Sequence, residues 1–329
     1  MAWDLKIGEI HEMYVTEEKV WLALNNFYYR SHVTMSYKYG FFKALLENLY
    51  NVNEKLELHY DQLFYSFSKI YWNLVVHHNL WQSNNRNQLS SIQKILDNYC
   101  IEHNIPREWT FDKLSSSLQL EIIKAIKKAG KKYVIGAFYG DTQNFFYEFH
   151  LKNEYLRFNQ PVYKFLQKYH RTLVNLTNYH LAKFLEKTNE VPNIDYLLTK
   201  VEVISRRNSL AEFHRILIKY EEEKCFYCGK ELHGRNRKTH VDHFIPWSYI
   251  QTDNLWNLVL ACDQCNMQKS DKLAESDYLN HIISRNDELR EVIKEDHDFF
   301  NTYTENKLIN LYDYATFNGF VDFWQPRGV

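Results

Sequence analysis

The chain has 329 residues and a formal net charge of −1, from 40 Lys and Arg against 41 Asp and Glu. This balance excludes a protein that coats nucleic acid through many cations, although it leaves room for a local nucleic-acid site. Hydrophobic residues make up 45% of the chain and aromatic residues 16%, which excludes a disordered chain and allows a packed core. Gly (9) and Pro (5) are scarce, which disfavours turn-rich sandwiches and barrels and favours a mainly helical fold.

We predict a cytoplasmic protein that makes no contact with a membrane. No apolar run approaches the roughly 20 residues that a membrane-spanning helix needs. The first residues, MAWDLKIGEIHEMY, include acids and lack a continuous apolar core, so we expect no signal peptide. Four of the five cysteines fall in two C-x-x-C pairs, a spacing that in a cytosolic chain indicates a metal rather than disulfides.

The first part of the chain has the apolar periodicity of helices. Thr16 is a plausible helix N-cap, and after it apolar residues recur on one face from Val20 to Tyr28. The same spacing recurs at 41–49 and at 63–75. Because each apolar face needs a partner, these helices should pack on one another.

The segment 132–157 departs from this pattern. It has two aromatic-rich runs around 140–142, Gly-Asp-Thr, so we predict a small β-hairpin there. Helical spacing returns over about 160–188 and continues over 193–222. The segment 190–193, Glu-Val-Pro-Asn, is the best candidate for a linker.

The two cysteine pairs have the spacing of a zinc site. Cys225 and Cys228 form the first pair, and Cys262 and Cys265 form the second. Each pair directs two thiolates at one point, and two pairs complete a tetrahedral shell. Since four protein ligands leave no open position for a substrate, we predict a structural Zn²⁺ that contributes folding energy. Ordinary buried cysteines and a redox pair are the alternatives. Cys100 lies in a helical stretch and is expected to be a small core residue.

The residues between and after the two pairs suit phosphodiester hydrolysis. Asp242 is a hard oxygen ligand for a cation such as Mg²⁺, and the adjacent His243 can act as a general base near neutral pH. Asn266 can add a carbonyl oxygen to the same cation, and Lys269 shares its face if a helix begins there. On an ideal strand Asp242 and His243 would point to opposite faces, so one site requires a twisted strand end, which Pro246 marks. A hydrogen-bonded surface or core histidine is the alternative.

Four short motifs of this segment occur in a fixed order, namely Cys225-Phe-Tyr-Cys228, Asp242-His243-Phe-Ile-Pro246, Asn257-Leu-Val-Leu-Ala-Cys262 and Cys265-Asn266-Met-Gln-Lys269. In these motifs, residues 225–272 resemble the HNH endonuclease family, also called His-Me finger or ββα-metal nucleases, in its four-cysteine zinc form. The family pattern is C-x-x-C, a D-H-x-x-P strand, N-L-x-x-x-C, and C-N-x-x-K at the start of a helix. The segment also looks like the HNH domain of CRISPR effector nucleases, although those lack the cysteines.

The resemblance implies a role for each matching residue. His243 would be the general base, and Asp242 and Asn266 would hold one divalent cation. Asn257 would fix the loop that orients His243, and Lys269 would approach a phosphate or brace the helix. Other branches of the family use His at the position of Asn266. Because Asn is a weaker ligand, the catalytic cation could be Mg²⁺ or Mn²⁺.

The resemblance also implies a nucleic-acid substrate, with DNA preferred. Sequence preference must come from outside the finger, because the site itself handles the phosphate backbone. The best candidates for phosphate contacts are Arg206 and Arg207 before the finger and Arg235 and Arg237 within it. A lysine-rich helix end is another candidate for phosphate contacts, although we favour the interpretation that these lysines form a solvated helix end. The lysines are Lys124, Lys127, Lys128, Lys131 and Lys132.

We therefore predict a mainly α-helical protein with a small embedded zinc-stabilised ββα-metal module and a short β-hairpin in the N-terminal part. A helical domain at 1–192 would precede the nuclease module with its lead-in helix at 193–275 and a C-terminal helical segment at 276–329. The activity would be metal-dependent endonuclease cleavage, in restriction or anti-phage defence, with a protein partner or activating signal. The alternatives are a non-catalytic zinc module that binds nucleic acid or a partner, and a helical sensor with the nuclease as its output.

Overall fold

The structure is a computed structural model that describes residues 5–85, 89–189, 194–203, 209–232, 239–293 and 297–326. These residues are mainly helical and include small β-sheets, which confirms the predicted fold class. They divide into two compact units. The first consists of Met1–Leu166 with Thr172–Arg206, and the second of Gln167–Arg171 with Arg207–Val329.

Apolar helix faces form the core of the first unit. Thr16 caps the first helix, because its side-chain oxygen accepts a hydrogen bond of 3.3 Å from the Lys19 amide. The buried rings of Phe27, Phe42 and Phe138 come from three helices, and their centroids lie 4.9–5.7 Å apart. The helices of this part of the chain are α1 (Glu17–Tyr29), α2 (Tyr37–Glu47), α3 (Tyr60–Tyr71), α4 (Ser91–Glu102), α5 (Ser116–Asp141), α6 (Gln160–Lys168), α7 (His170–Asn189) and α8 (Ile194–Val203).

The β-hairpin of the N-terminal part lies later in the chain than predicted. Residues 132–141 are the end of α5, and the turn expected at 140–142 is its C-terminus. Ile126, Val134 and Phe138 lie on the buried face of this helix, so its apolar residues follow helical spacing rather than alternation. The strands of this unit form one antiparallel sheet of order β1-β3-β4-β2, with β1 (Ile7–Gly8), β2 (Glu57–His59), β3 (Tyr147–His150) and β4 (Tyr155–Phe158); β3 and β4 make the hairpin.

The second unit contains a ββα arrangement with further helices attached to it. Its elements are α9 (Ala211–Tyr220), β5 (Thr239–His243), α10 (Trp247–Ile250), β6 (Leu258–Cys262), α11 (Asp263–Lys269), β7 (Leu273–Ala274), α12 (Asp277–Val292), α13 (Glu305–Ala315) and β8 (Phe323–Trp324). Strands β5 and β6 pair antiparallel, with His243 opposite Leu258, and α11 begins directly after β6. Arg285 of α12 donates a hydrogen bond of 2.6 Å to the Leu258 carbonyl, which attaches the later helices to β6.

Some predictions about organisation stay open. The linker predicted at 190–193 lies outside the described residues. The division into 1–192, 193–275 and 276–329 stays a prediction. Within the described ranges, no helix combines the length and the apolar character that crossing a membrane requires.

Candidate active site

The four cysteines of the C-x-x-C pairs meet at one point. The Sγ atoms of Cys225, Cys228, Cys262 and Cys265 all lie within 4.8 Å of one another, and those of Cys228 and Cys262 are 3.8 Å apart. Zn–S bonds of about 2.3 Å in a tetrahedron place the sulfur atoms roughly 3.8 Å apart, so this spacing fits a zinc site. Gly229, at φ +66°, closes the first turn, and its amide donates to the Cys225 carbonyl at 2.8 Å.

The electrostatics of this cluster suit a bound cation. Burial and the nearby Cys225 thiolate raise the pKa of Cys265, because two thiolates at this distance repel each other. A Zn²⁺ ion among four sulfur atoms would remove the repulsion and hold the thiols deprotonated. The cluster therefore has the ligand chemistry of the zinc site predicted from the sequence.

Asp242 and His243, at the end of β5, line one cleft. The cleft has a volume of about 590 Å³, and Asn266 of α11 lines it as well. The pairing of β5 with β6 ends at His243, and Pro246 then precedes α10. Consecutive side chains of a regular strand point to opposite faces, so the end of the strand is what allows both residues to serve one cavity.

A carboxylate from the following loop holds the His243 ring. Nε2 of His243 lies 2.8 Å from Oδ1 of Asp253, and the two side chains are only 6% and 12% exposed. The sequence assigned no role to Asp253, because this contact depends on how the loop between β5 and β6 folds. His240, on the same strand, makes a similar contact with Asp263 at 3.1 Å, but both of these side chains are much more exposed.

Asp242 is held through one of its two carboxylate oxygens. Oδ2 accepts a hydrogen bond of 2.6 Å from the Tyr227 hydroxyl and lies 2.9 Å from Nζ of Lys269. Burial, followed by the charge of Asp242, raises the pKa of Tyr227 well above its usual range, so the hydroxyl remains a donor. Among the described residues, none donates a hydrogen bond to Oδ1 of Asp242, which leaves this oxygen able to bind a cation.

Asn257 and Lys269 are fully buried and bind the backbone next to the histidine. Asn257 accepts a hydrogen bond from the Ile245 amide and donates one to the Ile245 carbonyl, both at 2.9 Å. Lys269 donates to the carbonyl of His243 at 2.7 Å. Because protein encloses its ammonium group, the geometry fits a bracing role for Lys269 better than a phosphate contact. Both residues, predicted as catalytic, thus have the geometry of positioning residues.

Asn266 is the other predicted ligand of the catalytic cation. It is half-buried on α11 and lines the cleft together with Asp242 and His243. Two residues that were not predicted from the sequence hold members of this set: Tyr227 contacts Asp242, and Asp253 contacts His243. The four arginines predicted to contact phosphates lie outside the described residues, namely Arg206, Arg207, Arg235 and Arg237.

The lysine-rich part of α5 in the first unit is partly neutralised. Nζ of Lys127 lies 2.5 Å from a carboxylate oxygen of Asp61 and 2.6 Å from one of Glu154. Lys131 also contacts Glu154, at 2.5 Å. Three lysines of this stretch remain exposed, namely Lys124, Lys128 and Lys132. Because these lysines are either paired with carboxylates or exposed to solvent, the structure favours a solvated helix end over a surface for phosphate contacts.

A comparison with known protein families gives a match. Residues 225–275 match a family model described as HNH endonuclease. No curated protein and no solved structure matched. The matched segment contains both cysteine pairs as well as Asp242, His243, Asn257 and Asn266. The match confirms the resemblance to HNH endonucleases that the four motifs predicted for residues 225–272.

Proposed function

We propose that the chain is a metal-dependent endonuclease that hydrolyses phosphodiester bonds in nucleic acid, with DNA as its main substrate. The meeting of Asp242, His243 and Asn266 at one cleft is the observation that carries this proposal. A general base beside two oxygen ligands for a cation is the set of groups that phosphodiester hydrolysis needs. The HNH endonuclease match of the same segment supports the same reaction.

In this proposal His243 is the general base. It accepts a proton from the water molecule whose oxygen attacks the phosphorus, and the bond to the leaving oxygen breaks as the new P–O bond forms. Asn257 holds the backbone after His243, and Lys269 holds the carbonyl of His243 itself. These contacts fix the backbone that carries the His243 ring before substrate binds, so little order has to be gained during the reaction.

Asp242 and Asn266 are the residues that would hold a Mg²⁺ or Mn²⁺ ion. Carboxylate and amide oxygens are the ligands that such hard cations prefer. When bound, such an ion neutralises negative charge on the scissile phosphate and the leaving oxygen. Tyr227 and Lys269 both occupy Oδ2 of Asp242, and this leaves Oδ1 as the ligand atom. The four cysteines would hold the structural Zn²⁺.

DNA as the preferred substrate and restriction or anti-phage defence as the setting rest on the family resemblance, and the cytoplasmic location rests on the C-x-x-C spacing of the cysteines. A net charge of −1 gives the chain little non-specific attraction to nucleic acid. A protein partner or an activating signal would therefore bring it to its target. Phosphate contacts would come from Arg206, Arg207, Arg235 and Arg237.

A substrate panel tests this function against a zinc module that only binds nucleic acid. The full chain is incubated with plasmid, linear duplex DNA, single-stranded DNA and RNA, with Mg²⁺, with Mn²⁺ and with EDTA. We expect cleavage of DNA with either metal and none with EDTA. Cleavage that needs cell extract would favour the alternative in which the helical part is a sensor. Binding without cleavage, even in extract, would contradict the nuclease.

A further inference from the structure

Two histidines of β5 each contact an aspartate from a later part of the chain, and the pair that contains the cleft residue His243 is the more buried. Asp253 lies 2.8 Å from Nε2 of His243 and is 12% exposed. Asp263 lies 3.1 Å from Nε2 of His240 and is 57% exposed. A hydrogen bond between buried groups is screened less by water, so the inner pair is the stronger one.

The loop that carries Asp253 is held by contacts that do not involve the pair itself. Helix α10 is followed by Gln251, whose left-handed backbone, at φ +53°, turns the chain. On the other side of Asp253, the carbonyl of Asn254 accepts the Asn257 amide at 2.8 Å. Asn257 in turn holds Ile245 through two hydrogen bonds. The backbone therefore presents the carboxylate to the ring in a fixed position.

Asp253 contacts the histidine but not the cleft. His243, Asp242 and Asn266 are among the described residues that line the cleft, and Asp253 is not. Asp253 would therefore affect a substrate or a cation in the cleft only through the His243 ring. This placement fits a residue that orients the base rather than a third ligand for the cation.

We propose that Asp253 is the positioning residue of the general base and selects the tautomer of His243; this rests on the proposed nuclease function. A carboxylate only accepts hydrogen bonds, so the nitrogen that it contacts, Nε2, carries the ring proton. Nδ1 keeps its lone pair and takes a proton from the attacking water, whose oxygen forms the bond to phosphorus as the bond to the leaving oxygen breaks; the leaving oxygen takes a proton from solvent. Asp253 stabilises the positive ring that results, and the proton on Nδ1 then passes to solvent.

Kinetics of the full chain test this role. Asp253→Asn keeps the shape of the side chain but removes its charge, and Asp263→Asn makes the same change in the exposed pair. With Mg²⁺ and a labelled DNA duplex, we expect Asp253→Asn to lower kcat by about 10²- to 10⁴-fold while KM stays within about twofold. We expect Asp263→Asn to leave both constants unchanged. Combined with His243→Ala, Asp253→Asn should cause no further loss, because the two residues act as one unit.

The tautomer can be measured without any cleavage. Ring ¹⁵N chemical shifts distinguish the two tautomers, and the signals of His243 are identified by their absence from His243→Ala. At about pH 8.5, where free imidazole is neutral, we expect the proton on Nε2 in the wild type. Asp253→Asn should populate the Nδ1–H form, and Asp263→Asn should not. If Asp253→Asn fails to retain zinc, Asp253→Ala is compared in its place.

Two results would overturn the proposal: an Nδ1–H tautomer in the wild type, or a kcat of the Asp253 variant within about twofold of the wild-type value. A wild-type chain that cleaves no nucleic acid would instead contradict the nuclease function. In that case the ring ¹⁵N shifts still decide whether Asp253 selects the tautomer.

Discussion

Tyr227, between the two cysteines of the first C-x-x-C pair, donates a hydrogen bond of 2.6 Å to Asp242. One short segment therefore contributes to the zinc cluster and also holds the proposed ligand of the catalytic cation. Partners that hold a metal ligand in this way commonly set the affinity of the metal. Lys269 completes the arrangement, since its Nζ pairs with Asp242 and lies 5.9 Å from the centroid of the Tyr227 ring.

Removal of the Tyr227 hydroxyl should weaken the binding of the catalytic cation and leave zinc binding unchanged. For Tyr227→Phe we expect the Mn²⁺ concentration that gives half-maximal cleavage to rise by about 10- to 100-fold, because Asp242 loses a partner that orients it. Zinc content should stay at the wild-type level. Tyr312→Phe is the matched control, since the Tyr312 hydroxyl donates at 2.6 Å to the Ala274 carbonyl instead. Equal Mn²⁺ dependence of the two variants would contradict this coupling.

Lys269 should contribute to stability as the buried partner of Asp242. Lys269→Met leaves a carboxylate of low exposure without its cation, and we expect this to lower the free energy of unfolding by about 3–5 kcal/mol. Urea unfolding followed by circular dichroism measures the change. The exposed Lys272 provides a control, because Lys272→Met should change stability by no more than about 0.5 kcal/mol. Full stability of Lys269→Met together with weaker DNA binding would instead indicate a phosphate contact.

Loss of zinc should unfold residues 225–272 and thereby abolish cleavage. Structural zinc in small modules contributes roughly 10–16 kcal/mol of binding free energy, which is also folding free energy. Cys225→Ser, or a strong chelator, should therefore abolish the ordered amide spectrum of residues 225–272 and all cleavage. Cys100→Ser is the control, because Cys100 is buried in α4 and outside the cluster. A zinc-free chain with an intact finger spectrum would contradict a structural zinc.

Local patterns were enough to predict the helices and the cysteine cluster. Thr16 caps α1 and the apolar spacing after it lies within that helix, while the two cysteines of each C-x-x-C pair are only three positions apart. The hairpin was misplaced because Phe138 and its neighbours suit a strand as well as a helix. Packing against Phe27 and Phe42, which are distant in the sequence, accompanies the helical form.

The cleft was predicted less completely than the cluster, for a related reason. Asp242, His243 and Asn266 belong to motifs with fixed spacing, and these motifs were enough to predict that the three residues share one site. Tyr227 and Asp253 contact these residues across a turn and a loop, and no periodicity or motif marks such contacts. Carboxylates and hydroxyls that hold another side chain become visible only when the backbone between them is known.

A comparison of two histidines on one strand tests the nuclease most directly. Cleavage of duplex DNA by the full chain with Mg²⁺ is measured for the wild type, His243→Ala and His240→Ala, all with zinc content and thermal unfolding verified. We expect the wild type and His240→Ala to cleave at similar rates, because His240 pairs with Asp263 away from the cleft. His243→Ala should lose at least about 10²-fold in rate, since the general base is gone. Cleavage by His243→Ala at the wild-type rate would contradict a catalytic centre at His243.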